Sequence, residues 1–136
     1  MNINVYLDTD VIISALLTPN GVSADLFKSP QITKYLSNTS KLEIIDVSQR
    51  KNINPTLTSK IISPCNSIFV SQKDIDDISD YVNDPEDQHI LAGAIKSGAN
   101  FLATYNIRDF KVNRIHQDFG IIILIPGHIL QHLRSL

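Results

Sequence analysis

Asn2-Ile3-Asn4-Val5-Tyr6-Leu7-Asp8-Thr9-Asp10-Val11-Ile12-Ile13-Ser14-Ala15-Leu16-Leu17 changes its hydrophobic rhythm halfway. From Asn2 to Leu7, the apolar Ile3, Val5 and Leu7 alternate with Asn4 and Tyr6, which is the period of a strand. From Val11 to Leu17 the apolar residues keep helical spacing. Asp8, Thr9 and Asp10 stand at the junction. A strand running directly into a helix reads as the start of a β-α-β unit. In open parallel sheets of that kind, ligands bind beyond the carboxyl ends of the strands. The three polar residues are therefore the first candidates for chemistry.

The rest of the chain continues the alternation. Pro19-Asn20-Gly21 is a turn, and Ser23 can open a short helix through Lys28. Ile32 to Leu36 reads as a second strand, and Ser37 opens a helix carrying Leu42, Glu43, Ile45 and Asp46. Ser48 to Pro64 is polar and contains Pro55, with a helix expected from about Thr56 to Ile62. Ser67 to Val70 fits a third strand, Asp74 to Val82 an acidic helix, and Asp84 to Ser97 a helix stopped by Gly98. Phe101 to Thr104 and Ile121 to Ile125 are the fourth and fifth strands, and Ile129 to Leu136 is a closing helix. The fifth strand has no polar alternation, which suits a strand covered on both sides. Strands separated by helices predict an α/β fold: a mostly parallel central sheet of four to five strands with helices on both faces, one domain over residues 1–136.

Composition narrows the functional classes. A 43% hydrophobic chain with 19% charged residues can bury a core. Its net charge of −2 at pH 7 gives little support to a duplex-DNA binder. Cys65 is the only cysteine, so no intramolecular disulfide can form, and the thiol follows Pro64 with no His nearby. The first residues lack the pattern of a signal peptide, and no apolar run reaches the ~20 residues of a membrane span, so a cytoplasmic protein is expected.

Several acids fall at sequence positions that a parallel sheet brings to one end. Asp8 and Asp10 follow the first strand, while Asn106 and Asp109 follow the fourth. Glu43 lies about two turns into the helix after the second strand, and Asp87 in the first turn of the helix before the fourth. Converging carboxylates repel one another, and a bound divalent cation is the usual compensation. Oxygen donors without thiolates or a His cluster favour Mg²⁺ or Mn²⁺ over Zn²⁺. Metal-assisted hydrolysis of phosphodiesters follows from such a site.

Each of these residues also has a plainer reading. Asp10 can cap the helix it precedes, and Asp84-Pro85-Glu86-Asp87 is a helix-start signal in its own right, with Asp84 structural. His128 and His132 are four apart on one helical face, but no third ligand accompanies them. Arg108, Lys111 and Arg114 form a small basic patch after the fourth strand. It can hold phosphates, or it can be ordinary surface charge.

Val5-Tyr6-Leu7-Asp8-Thr9-Asp10-Val11-Ile12-Ile13-Ser14-Ala15-Leu16 resembles the opening of PIN-domain nucleases, where Asp-Thr-Asn follows the first strand. Ser37 with Glu43 six residues later resembles that family's second signature. Asp87-Gln88-His89-Ile90-Leu91-Ala92-Gly93-Ala94 is similar to its third, and Gly98 through Asn106 to Asp109-Phe110 to its fourth. Gly120 to Leu130 is similar to its usual ending. The resemblance implies an α/β/α sandwich and Mg²⁺- or Mn²⁺-dependent cleavage of RNA. Small members resemble VapC-type toxins, which implies a small antitoxin partner and a homodimer. Carried onto this chain, the metal-binding core is Asp8, Glu43 and Asp87. The fourth position is either Asn106, which some members have in place of Asp, or Asp109 acting through a water. Thr9 is expected to orient Asp8, and Asp10 replaces the more common Asn.

Two rival readings come from other classes. Leu7-Asp8-Thr9-Asp10-Val11 also fits the first motif of haloacid-dehalogenase-like phosphohydrolases, with Asp8 as nucleophile. The chain is short for that core, and no Gly-Asp-Asp-like motif follows a late strand. The other rival is a catalytically degenerate PIN fold that only binds, which Asn106 keeps open.

Overall fold

The computed structural model describes residues 2–136. Its frame is a sheet of five strands, all parallel: β1 (Ile3–Leu7), β2 (Ile32–Ser37), β3 (Asn66–Ile68), β4 (Phe101–Ala103) and β5 (Ile122–Leu124). The order across the sheet is β3-β2-β1-β4-β5. The chain thus works outward from β1 to β2 and β3, then crosses back to lay β4 on the other side of β1. Val5, Tyr6 and Leu7 pair there with Phe101, Leu102 and Ala103. This reversal between β1 and β4 opens a crevice at their carboxyl ends.

Among the described residues, eight α-helices connect and cover the strands: α1 (Thr9–Leu17), α2 (Val22–Lys28), α3 (Asn38–Arg50), α4 (Pro55–Ile62), α5 (Gln72–Asp76), α6 (Gln88–Lys96), α7 (Val112–Phe119) and α8 (Pro126–Arg134). Because strand side chains alternate, β1 feeds two cores. Val5 and Leu7 pack with Ile12 of α1, Leu26 of α2, Ile44 of α3 and Ile129 of α8. Tyr6, Leu102 and Ile123 pack on the opposite face with Ile90 and Leu91 of α6 and Ile115 of α7. The result is the expected three-layer α/β/α arrangement. No helix among the described residues is long and apolar enough to cross a membrane.

Tyr6 departs from a half-solvated strand pattern. It is fully buried, its hydroxyl lies 2.9 Å from Ser40 Oγ, and it accepts the Ser37 N–H at 3.0 Å. The ring lies so close to Gly93 of α6 that an added Cβ would fall 2.5 Å from it. Gly93 therefore serves close packing, and Tyr6 ties β1 to the start of α3.

Several boundaries move. The acidic helix expected over Asp74 to Val82 is the short α5, with Ser71 and Asp74 in a capping box, followed by a 3-10 turn at Ser79–Tyr81. The helix expected from Asp84 begins as a 3-10 turn, Pro85–Asp87, and becomes α-helical at Gln88. Helix α7 was not legible. Its Val112, Ile115 and Phe119 do keep the i, i+3, i+7 spacing of one helix face, but the segment is short and polar between them and only Ile115 is fully buried. Gly98 and Gly120 both adopt positive φ, 67° and 73°, where a side chain is strained. Burial holds the Cys65 thiol up at about 11, which fits a packing role rather than a nucleophile.

Candidate functional site

Asp8 is the first residue past β1, at the β1–β4 crevice. It is only 4% exposed, and its backbone N–H continues the ladder to the Ala103 carbonyl at 3.0 Å. Its Oδ2 accepts the Thr104 hydroxyl at 2.8 Å, and the same Thr104 oxygen accepts the Asn106 N–H at 3.0 Å. The residue after β4 thus orients the residue after β1. Thr9, expected to orient Asp8, instead donates its hydroxyl to Glu43 Oε1.

Asp8 itself occupies the N-cap position of α1, with no side-chain capping bond. Asp10 lies inside the first turn and is not the cap. Its Oδ2 accepts the Tyr105 N–H at 3.0 Å, while its Oδ1 is buried without a hydrogen-bond partner among the described residues. Glu43 reaches the site from α3. Its Oε1 accepts from Thr9 and its Oε2 lies 3.3 Å from His89 Nε2. His89 is buried, and its Nδ1 has no hydrogen-bond partner among the described residues.

Asp87 enters from the 3-10 turn before α6. Its carboxylate and those of Asp84 and Asp109 offer oxygens within 4.8 Å of one another. Asp84 Oδ1 also caps the turn by accepting the Glu86 N–H at 3.0 Å, the structural role expected of it. Asp8, Thr9, Asp10, Glu43, Asp87 and Asn106 all line one cleft of about 630 Å³. Asp109 stands behind Asp87 rather than on the cleft wall.

The electrostatics follow from this crowding. Burial, then the charge of Asp10, pushes the Asp8 carboxyl up to about 7. Burial is also the main cause for Asp10, pushed up to about 6, with the charges of Asp87 and Glu43 adding to it. Asp87 is pushed up to about 7 by burial, by sharing a hydrogen bond with Asp109 and by the charge of Asp8. Glu43 moves the other way, held below the usual carboxylate range by the hydrogen bond from His89 and then by Thr9. Three reluctant carboxylates beside one committed anion make a strong demand for positive charge. All the donors facing the cleft are oxygens, which suits a hard divalent cation.

The basic residues after β4, read as either a phosphate patch or ordinary surface charge, are outside the cleft lining. Lys111 Nζ donates to the Asp80 carbonyl at 2.6 Å, Arg114 stacks 4.4 Å from the Tyr81 ring centroid, and Arg108 is exposed on the turn after β4. None of the three lines the cleft; its cations are Arg50 and Lys51, at the end of α3. His128 and His132 do not combine into a site, and the His132 ring packs edge-on against Phe101 at 5.1 Å. Sequence reasoning missed Thr104 and His89 as site residues. The one available signal was their position, directly after a strand and two residues past Asp87.

Fold and site together define an α/β/α protein with an acidic cleft at the switch point of a parallel sheet. Within that class, the family model described as PIN domain matches residues 4–108, and the chain belongs to the PIN-domain family. The match spans β1 to β4 and includes Asp8, Glu43, Asp87 and Asn106. Membership brings nuclease as the class of activity and a divalent metal as the class of cofactor. It leaves the haloacid-dehalogenase-like alternative without support. No curated protein matches the chain.

Proposed function

We propose that this chain is a Mg²⁺- or Mn²⁺-dependent ribonuclease that hydrolyses phosphodiester bonds of RNA, and that it acts as the toxin of a toxin–antitoxin pair. The observation that carries the reading is the convergence of the Asp8, Asp10, Glu43 and Asp87 carboxylates on one cleft, where burial and mutual repulsion disfavour charge on all but Glu43. Asp8, Glu43 and Asp87 would hold the cation, and Asp10 joins them through its unpartnered Oδ1. When bound, a divalent cation supplies Lewis acidity at the scissile phosphate and neutralises developing charge. The protein's own part is positioning. Thr104 fixes Asp8, Thr9 and His89 fix Glu43, and the Tyr105 N–H fixes Asp10. Asn106 lines the cleft as a neutral residue able to donate to a phosphate oxygen, and Asp109 supports Asp87 from behind. Water adds at phosphorus, the bond to the leaving ribose oxygen breaks, and the proton released by the water is balanced by the one that leaving oxygen takes up.

The toxin role, a small antitoxin, a homodimer and a cytoplasmic location belong to the same reading. It is supported by the family and by exposed apolar side chains on α3 and α4 (Leu42, Ile45 and Leu57) that a partner could cover. A binding-only PIN module is the second reading, favoured by Asn106 standing where an acid is common.

Incubation of the purified protein with RNA and Mn²⁺ separates the two. Cleavage is expected, with losses of roughly a hundredfold or more in Asp8→Asn and Asp87→Asn. Cleavage that persists unchanged in both variants would rule out this site. No cleavage of any RNA would favour the binding module. Growth arrest on expression, relieved by a small protein encoded alongside, tests the toxin role.

A further inference from the structure

The cleft extends well beyond the carboxylates. Asp10, Ile13, Ser14 and Leu17 line it from α1, and Glu43, Val47 and Arg50 from α3, with Lys51 just past the helix end. Both sets follow the i, i+3/i+4, i+7 spacing of a single helix face. Each wall therefore runs from an acid at the chemical end to a point about two turns, roughly 10 Å, away. At that far end α3 carries the cleft's cations. Between lie the apolar side chains of Ile13, Leu17 and Val47, suited to a ribose or base face.

A polyanion cannot rest on carboxylates alone, and its flanking phosphates need a positive contact. We propose that Arg50 and Lys51 form a phosphate-binding subsite for single-stranded RNA, which makes the α1–α3 cleft the path of the substrate strand; this rests on the nuclease reading above. Both residues also suit the negative end of α3 as ordinary helix-terminal cations. That role does not occupy them, however. The Arg50–Asp46 pair, at 3.1 Å, has both side chains about two-thirds exposed and is easily exchanged for a phosphate. Lys51 has no ion-pair partner among the described residues. The rival cations Lys111 and Arg114 are engaged around Tyr81 and Asp80 and do not line the cleft.

The test is binding of a short fluorescein-labelled single-stranded RNA, followed by anisotropy in Ca²⁺ between roughly 50 and 200 mM salt. Arg50→Ala combined with Lys51→Ala is expected to weaken binding roughly tenfold or more. It should also flatten the slope of log affinity against log salt by about 1.4, two single-strand phosphate contacts. Arg50→Lys with Lys51→Arg keeps both charges and should keep most of the affinity. Arg134→Ala, exposed on α8 away from the cleft, makes a charge control that should leave affinity and slope unchanged. Thermal melts exclude unfolding as the cause of any loss. Equal affinity and slope in the double alanine variant and in Arg134→Ala would overturn the subsite, as would a wild type that binds no RNA. A wild type that binds through these two residues yet cleaves nothing would overturn the nuclease reading and leave the subsite standing.

Discussion

Thr104 and Asp8, ninety-six residues apart, meet across the β1–β4 switch, where the Thr104 hydroxyl donates to Asp8 Oδ2 at 2.8 Å. The bond is buried, and it favours the charged form of a carboxylate that burial otherwise keeps protonated. It links the two halves of the sheet at the point where the chain reverses direction.

Thr104→Val should expose the value of this bond, since the substitution keeps shape and removes the donor. A buried hydrogen bond to a charged group is worth about 1.5–3 kcal/mol. Chemical denaturation should show a loss of that order at neutral pH, and RNA cleavage should fall at least tenfold. Thr104→Ser should retain most of both. Equal stability and activity in all three proteins would remove Thr104 from the site.

His89 acts on Glu43, and the two can be uncoupled. His89→Leu removes the donor, whereas the side-chain amide of His89→Gln can still reach the carboxylate. A positioning role predicts a fall in kcat and in Mn²⁺ affinity for the leucine variant, with partial rescue by glutamine. Calorimetric Mn²⁺ titration alongside cleavage kinetics reads both. A loss of thermal stability with unchanged metal affinity would make His89 a packing residue only.

The pH dependence of stability has a definite sign. In the folded chain Asp8, Asp10 and Asp87 keep protons up to about pH 7, 6 and 7. Unfolded carboxyls release theirs near about pH 4. Between those limits the folded state binds more protons, so metal-free stability should fall as pH rises from about 4 to 7. Glu43, with its lowered value, works the other way, and its contribution is lost at the acid end. Mn²⁺ displaces the excess protons, so the stabilisation it confers should grow with pH. Melting curves from about pH 5 to 8, in EDTA and in Mn²⁺, measure both trends. A melting temperature in EDTA that climbs through this window would contradict the account of the site.

Gly93 and Tyr6 form a packing pair beneath the site. Gly93→Ala should cost about 1–3 kcal/mol by overpacking against the ring. In a Tyr6→Leu background the same change should cost much less, because the ring is gone. The two substitutions should therefore be non-additive in a double-mutant cycle measured by urea denaturation. Additive costs would mean that Gly93 is needed for some reason other than Tyr6.

Much of the site was legible before folding was considered. Asp8 and Asp87 stand at element boundaries that periodicity reveals, Glu43 lies six residues past the Ser37 that opens its helix, and all three line the cleft. The hydrogen-bond partners were not legible. Thr9 adjoins Asp8 in the chain, so it was the natural candidate to orient it. A residue entering a helix turns its side chain away from its neighbour's, however, and Thr9 points to Glu43 on α3. Whether the basic residues after β4 would reach the cleft was not legible for a similar reason. Arg108, Lys111 and Arg114 follow β4 in sequence, but α7 carries Arg114 away from the cleft onto Tyr81.

What the sequence determined by itself is the succession of elements and the acids at their ends. Both depend on local physics: the two hydrophobic periods, and the turn and cap chemistry of Gly, Pro, Ser and Asp. The tertiary structure alone decided the strand order, and with it the reversal that sets β4 beside β1. Only that non-local pairing brings Thr104 to Asp8, the Tyr105 N–H to Asp10 and Asp87 into the field of Asp8. The packing of α3 against α1 brings Arg50 and Lys51, at the start of a polar stretch that sequence left poorly defined, to the cleft that the acids open. Contacts of this kind depend on burial and on the geometry of packed layers, which a one-dimensional pattern does not encode.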